Sequence, residues 1–116
     1  MKDEVNTGLG KVNIYKNVIA SIVSIATSEI EGVVRIGGNL KSVIYELFGK
    51  KDSAAGIKVD FDKNGHVTIS VPVIIKYGVN LPEVAGKIQE NIKSSVERIT
   101  DVVIKDINVD VQSVEK

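Results

Sequence analysis

Apolar residues along this chain change period several times, and each change predicts a change of element. Val12 and Ile14 alternate with Lys11, Asn13 and Tyr15, which predicts a short strand after a loose lead-in over residues 1–9. From Lys16 to about Glu31 the spacing becomes helical. Val18, Ile22 and Ile25 form one row, with Ile19, Val23, Ala26 and Ile30 on the neighbouring one, so the wide stripe predicts a deeply packed helix. Its many β-branched residues lower intrinsic helicity, and tertiary burial must hold it in place. Gly32 is a suitable stop. Beyond Gly37-Gly38, the residues Leu40, Val43, Ile44, Leu47 and Phe48 recur at helical spacing and predict a short amphipathic helix before Gly49. Lys50 to Gly56 then reads as a loop.

The clearest β signal follows. Ile57, Val59 and Phe61 alternate with Lys58, Asp60 and Asp62, and a second alternating run carries Val67, Ile69, Val71, Val73 and Ile75. Asn64-Gly65 between them predicts a hairpin turn, because both residues tolerate positive φ. Pro72 lacks an N–H, so it belongs where that group would face solvent or at an irregularity, which argues against an undisturbed central strand. Asn80-Leu81-Pro82-Glu83 has the logic of a helix start: Asn80 caps, Pro82 suits the first turn, and Glu83 can complete a capping box. Val84, Ala85, Ile88, Ile92, Val96 and Ile99 then make one stripe ending near Thr100. In the last strand Val102 and Ile104 share one phase while Ile107, Val109 and Val111 share the other. That shift predicts a bulge at Lys105-Asp106.

The predicted order is β-α-(short α)-β-β-α-β. This is an α+β two-layer sandwich with the helices on one face of a small mixed or antiparallel sheet. Split β-α-β connections would make it ferredoxin-like, but the pattern leaves strand order open. At 116 residues, with 43% hydrophobic and 26% charged residues, one domain over residues 10–114 is expected, around an aliphatic core lacking Trp.

Charge and chemistry narrow the function. Fifteen basic residues balance fifteen acidic ones, so no overall field draws the chain to nucleic acid or an anionic membrane. Without Cys there are no disulfides or thiolate metal sites, which fits a cytoplasmic setting. The acidic start Met1-Lys2-Asp3-Glu4 is unlike an export signal. The apolar run Val18 to Ala26 is too short to span a bilayer, so direct membrane insertion is not expected.

Asp60-Phe61-Asp62-Lys63-Asn64-Gly65 opens like a calcium-binding loop, but Val71 stands where the bidentate acid should be and strands flank it. Thr7-Gly8-Leu9-Gly10 offers two glycines of a dinucleotide fingerprint without the third, which reads as a terminal linker. His66, the single histidine, lies beside the hairpin turn, where a solvated surface residue is expected rather than a general base. Neither metal nor cofactor is expected. Arg35, Lys41, Lys50 and Lys51 form a mildly basic stretch offset by Glu46, which makes weak nucleic-acid binding the third choice. Tyr77, Asn80 and Asn108 could furnish polar groups for a small-ligand or enzyme site. The simpler reading is that Asn80 caps, Gly78 turns and Tyr77 packs its ring. A protein-docking ridge is expected at Leu40, Ile44, Leu47 and Phe48 if that helix leaves its apolar side partly exposed; an exposed sheet edge is the other candidate.

Several segments together resemble the alkaline shock protein family of mainly Gram-positive bacteria. They are Gly10-Lys11-Val12-Asn13-Ile14 with Val18-Ile19, Glu29-Ile30-Glu31-Gly32-Val33, Lys76-Tyr77-Gly78-Val79-Asn80-Leu81-Pro82-Glu83-Val84-Ala85, and Ile107-Asn108-Val109-Asp110-Val111. One departure is Asp101 after Thr100, where many relatives carry Gly; Asp can take the left-handed cap at some cost. The resemblance implies a non-catalytic cytoplasmic protein linked to alkaline or cell-envelope stress. Some members gather beneath the membrane through an anchored partner. Another branch, with segments like Phe48-Gly49-Lys50-Lys51, is linked to control of fatty-acid precursor synthesis, and this chain looks nearer to it. The implied partner is therefore a membrane-anchored protein, a fatty-acid synthesis enzyme subunit, or a second copy of the chain. No catalytic residues carry over.

Overall fold

The computed structural model describes residues 8–38 and 56–116, with side chains from residue 15 onward in the first helix. Its elements run α1 (Gly8–Ser28), β1 (Val33–Ile36), β2 (Lys58–Phe61), β3 (Val67–Lys76), α2 (Leu81–Ile99) and β4 (Ile104–Glu115). The predicted amphipathic helix Leu40–Phe48 and most of the loop after it lie outside the described residues.

Two predicted features change at the start. The strand expected at Val12 and Ile14 is part of α1, which begins at Gly8 and so also takes up the end of the expected lead-in and the glycines of the expected linker. Two alternating apolar positions are too few to define a period. Positions 12, 19, 23, 26 and 30 keep helical spacing with the rest of α1, and the longer pattern prevails. The second change is a strand the sequence reading missed. Val33–Ile36 pairs antiparallel with β3 after a turn at Gly32, whose φ of +104° is the left-handed conformation that favours glycine. Gly32 therefore serves the turn into β1 instead of capping α1 directly.

β3 is the centre of the sheet and is paired on both edges. Along one edge β4 runs parallel to it, from Val67↔Ile104 to Lys76↔Glu115. Parallel neighbours need a crossover, and α2 supplies it. The other edge is shared end to end: β2 pairs antiparallel over Val67–Ser70, and β1 over Val73–Ile75. The sheet is thus mixed. A ferredoxin-like connection does not form, because the first predicted strand is helical and β4 lies beside β3.

Pro72 sits where the two short strands meet. Its carbonyl accepts from the Gly37 nitrogen at 2.9 Å, so its own nitrogen faces that same edge, in the gap between β1 and β2. No ladder bond is lost there, which is how a buried proline is accommodated in a central strand. Gly56 closes the same gap with φ +92°.

Both helices cover one face. Ile19, Val23 and Ala26 of α1, Val84, Ile88, Ile92 and Val96 of α2, and Val67, Ile69, Val71 and Val73 of β3 form one aliphatic core. Asn91 of α2 donates to the Ala26 carbonyl at 2.8 Å, satisfying one of the last carbonyls of α1 and fixing the helices together. The α1 stripe is not buried across its whole width. Ile22 is buried, but Val18 and Ile25 are 41% and 62% exposed, because the sheet and α2 reach only the neighbouring row. Likewise Ile99, at 58% exposed, overhangs the end of the α2 stripe.

Thr27 is fully buried on α1, and its hydroxyl oxygen has no hydrogen-bond partner. A buried hydroxyl without a partner is costly, and Val fills nearly the same space without one. Thr27→Val is expected to raise stability by about 1 kcal/mol in urea unfolding. A loss of stability would mean that the hydroxyl is satisfied in solution.

Candidate functional site

Most of the polar residues singled out in the sequence do local structural work. Asn80 caps α2: its side-chain oxygen accepts from the Glu83 nitrogen at 3.0 Å, with Pro82 in the first turn. The Glu83 carboxylate pairs forward with Lys87 at 3.4 Å. Gly78 takes φ +95° between β3 and α2. Tyr77 does not pack its ring, as the simpler reading expected. It is 64% exposed, with only the Lys116 ammonium over it, 5.5 Å from the ring centre. Asn108 approaches the Ser70 hydroxyl at 3.4 Å on the sheet face away from the helices. Ser70 and Tyr77 are seven residues apart on an extended strand, or about 23 Å. Tyr77, Asn80 and Asn108 therefore do not converge on one site.

At the hairpin, Asp62 is the organiser that the sequence reading passed over. Its Oδ1 accepts from the backbone nitrogens of Asn64 at 2.8 Å and His66 at 3.0 Å, while the Gly65 nitrogen donates to the Asp62 carbonyl at 3.0 Å. This is a three-residue loop with Gly65 alone at positive φ, +82°. Asn64 stays out of the left-handed region, contrary to the two-residue turn that Asn64-Gly65 suggested. The signal for the longer loop was the Asp two residues before Asn64, an Asx-turn former. His66 is half-buried beside it. No group of three metal-ligating side chains converges among the described residues.

The hydrogen bond from the His66 backbone holds the Asp62 carboxyl below its usual range, and the Asn64 bond adds to this. A depressed carboxylate stabilises the fold above its unfolded-state pKa of about 4, and that contribution is lost as pH falls through the lowered folded value. The turn amides of Asn64 and His66 should therefore lose protection from hydrogen exchange only under acid conditions. Asp62→Ala should expose them at neutral pH. Unchanged protection in that variant would assign the turn's order to the backbone alone.

Two shallow clefts are present away from Tyr77. One, of about 270 Å³, lies between α1 and β2 and includes Lys16, Asn17 and Asp60. The other, of about 150 Å³, lies at the Pro72 gap and includes Lys58, Asp110 and Gln112. Arg35, expected in a basic stretch, is bound by the Glu115 carboxylate through two hydrogen bonds of 2.9 and 2.8 Å. This bidentate pair bridges β1 and the end of β4 across β3. Leu40, Ile44, Leu47 and Phe48, the predicted docking ridge, lie outside the described residues, as do Lys41, Lys50 and Lys51.

What the structure presents most distinctly is the edge of β4. Among the described strands, this twelve-residue element pairs with β3 alone. The predicted bulge is present: Val67 pairs with Ile104 and Thr68 with Asp106, leaving Lys105 extra. A second, unpredicted bulge leaves Gln112 extra between Val111 and Ser113. Between the bulges, Asp106–Val111 is regular. The Val67 nitrogen donates to the Val103 carbonyl, so odd-numbered β3 residues face β4 and the backbone groups of Asp106, Asn108 and Asp110 face β3. Those of Ile107, Val109 and Val111 consequently face outward. Gln89 of α2 confirms the direction by donating to the Ile107 carbonyl at 2.9 Å. The side chains of these three residues are half-buried against the helix layer.

No helix among the described residues is long and apolar enough to cross a membrane. No solved structure matches the chain. Among curated proteins, YqhY of Bacillus subtilis (strain 168) is 38% identical over 113 residues, covering 97% of this chain and 83% of that protein. A second relative, Spy1614 of Streptococcus pyogenes serotype M6, is 30% identical over 98% of this chain and 95% of its own length. More distantly, a stress response regulator gls24 homolog of Streptococcus pyogenes serotype M3 is 25% identical over 95% of the chain, which spans 62% of that longer protein. The family model for alkaline shock protein 23, described as having a cell envelope-related function, matches residues 4–116, and the chain belongs to that family.

Proposed function

We propose that this protein acts without chemistry of its own, as a regulatory protein of the envelope stress response that binds protein partners along the outer edge of β4. The observation that carries the reading is that edge: a regular stretch over Asp106–Val111, with outward backbone groups and no strand beside it among the described residues. An open edge is a template for strand addition, in which main-chain hydrogen bonds supply affinity and alternate side chains supply selectivity. The polar residues considered for catalysis are engaged in capping and turning, which supports a binding role. The protein works in the cytoplasm, and a membrane-anchored partner recruits it to the inner face of the membrane. A fatty-acid synthesis enzyme subunit is the alternative partner.

Val109→Pro removes an outward-facing N–H, and proline is tolerated on edge strands at such positions. Cross-linked pull-downs of tagged wild-type and Val109→Pro protein from the native host, read by mass spectrometry, test the proposal. The variant should melt within a few degrees of wild type and lose the captured partner. Full capture by a folded variant would remove the β4 edge from the interface. Recovery of a membrane-anchored protein or a synthesis subunit chooses between the two partners.

A further inference from the structure

We infer that the β4 edge accepts a second copy of itself, running antiparallel and centred on Val109, so that two sheets join into one. This rests on the edge-binding reading above and specifies its occupant. The regular stretch between the bulges contains Ile107-Asn108-Val109-Asp110-Val111, which is nearly palindromic about Val109. In the register centred there, Val109 faces its own copy and Ile107 faces Val111. Ile107, Val109 and Val111 all turn their backbone groups outward, so every facing pair of these residues is a hydrogen-bonded pair. Their half-buried side chains would then be covered from the open side, on the face that already carries the helices.

The other face selects the register. Centring on Val109 sets Asn108 opposite Asp110, where the amide can donate to the carboxylate, and Asp106 opposite Gln112. Shifting the centre to Asp110 places that carboxylate against its own copy. Shifting it to Asn108 opposes Asp106 with Asp110. Like charges directly opposite one another are destabilising across strands, and the Val109 register alone among the three avoids them. The bulges at Lys105 and Gln112 limit pairing to this stretch, because they interrupt the outward backbone pattern on either side. Pairing also requires Gln89 to release the Ile107 carbonyl.

Charge placement makes the register testable without touching the core, since Asn108 and Asp110 are both exposed. Asn108→Asp opposes two carboxylates twice in the symmetric pair, and the dimer dissociation constant should rise about tenfold. The double variant Asn108→Asp/Asp110→Asn exchanges the roles of the two positions and should restore wild-type association. Sedimentation equilibrium of the purified full chain over a concentration series reads all three proteins. A wild-type chain that stays monomeric to millimolar concentration overturns the inference, as does a double variant no better than the single one. If the chain is monomeric yet Val109→Pro still abolishes capture from the host, self-pairing fails while the edge reading survives. If capture is unaffected, the edge reading fails independently.

Discussion

Replacing Ile92 with Ala is expected to remove about 3 to 4 kcal/mol of stability, a large share of what a domain of this size possesses. Ile92 is completely buried on α2, in the single cluster that joins both helices to β3. Truncation forfeits the transfer free energy of three carbons and leaves a cavity, which β3 is poorly placed to fill because it is held by strands on both edges. The same truncation at Ile99, two turns further along the predicted stripe, should change stability by less than about 0.5 kcal/mol, since that side chain is more than half exposed. Urea unfolding of the two variants makes the comparison. Equal losses would mean that Ile99 is covered in solution, by another part of the chain or by another molecule.

The second large effect is expected at Gly56. A Cβ there would lie 2.7 Å from the Gly37 carbonyl oxygen and 3.2 Å from the Gly38 Cα, both backbone atoms, and the residue already holds φ +92°. Gly56→Ala therefore combines a strained conformation with a contact that side-chain movement cannot relieve, and a loss of about 2 to 3 kcal/mol follows. Gly78 provides the internal control. Its φ is similar, +95°, but a Cβ there meets nothing within 4 Å, so Gly78→Ala should cost only about 1 kcal/mol, from conformation alone. The difference between the two variants isolates the close approach of the chain on either side of residues 39–55. If Gly56→Ala costs no more than Gly78→Ala, that approach is looser in solution.

The end of α2 shows how local chemistry resolved a point on which the sequence pattern misled. Asp101 follows Thr100 where a left-handed glycine would be expected, yet no residue other than glycine takes positive φ among the described residues. Thr100 ends the helix in extended conformation instead. Its hydroxyl donates to the Val96 carbonyl at 2.8 Å and accepts from the Val102 nitrogen at 3.1 Å, replacing the bonds a glycine cap would make. Asp101 needs no unusual backbone.

Periodicity over five or more residues was enough to place the hairpin strands, the α2 helix with its Asn80 cap, and the Lys105 bulge in β4. These depend on contacts between near neighbours and on which side of one element is apolar. The candidate edge could not be located in that way. Nothing in residues 104–115 says that β4 lies beside β3 in parallel, or that its other side is left open. That follows from the α2 crossover and from β1 and β2 sharing the opposite edge of β3 end to end. The same holds for the surface of α1, where two apolar rows of similar strength were visible and only the placement of α2 and the sheet decided that Val18 and Ile25 remain exposed. A hydrophobic pattern determines what an element can bury, whereas the number and position of its neighbours determine what it does bury. Only the tertiary structure contains that second quantity.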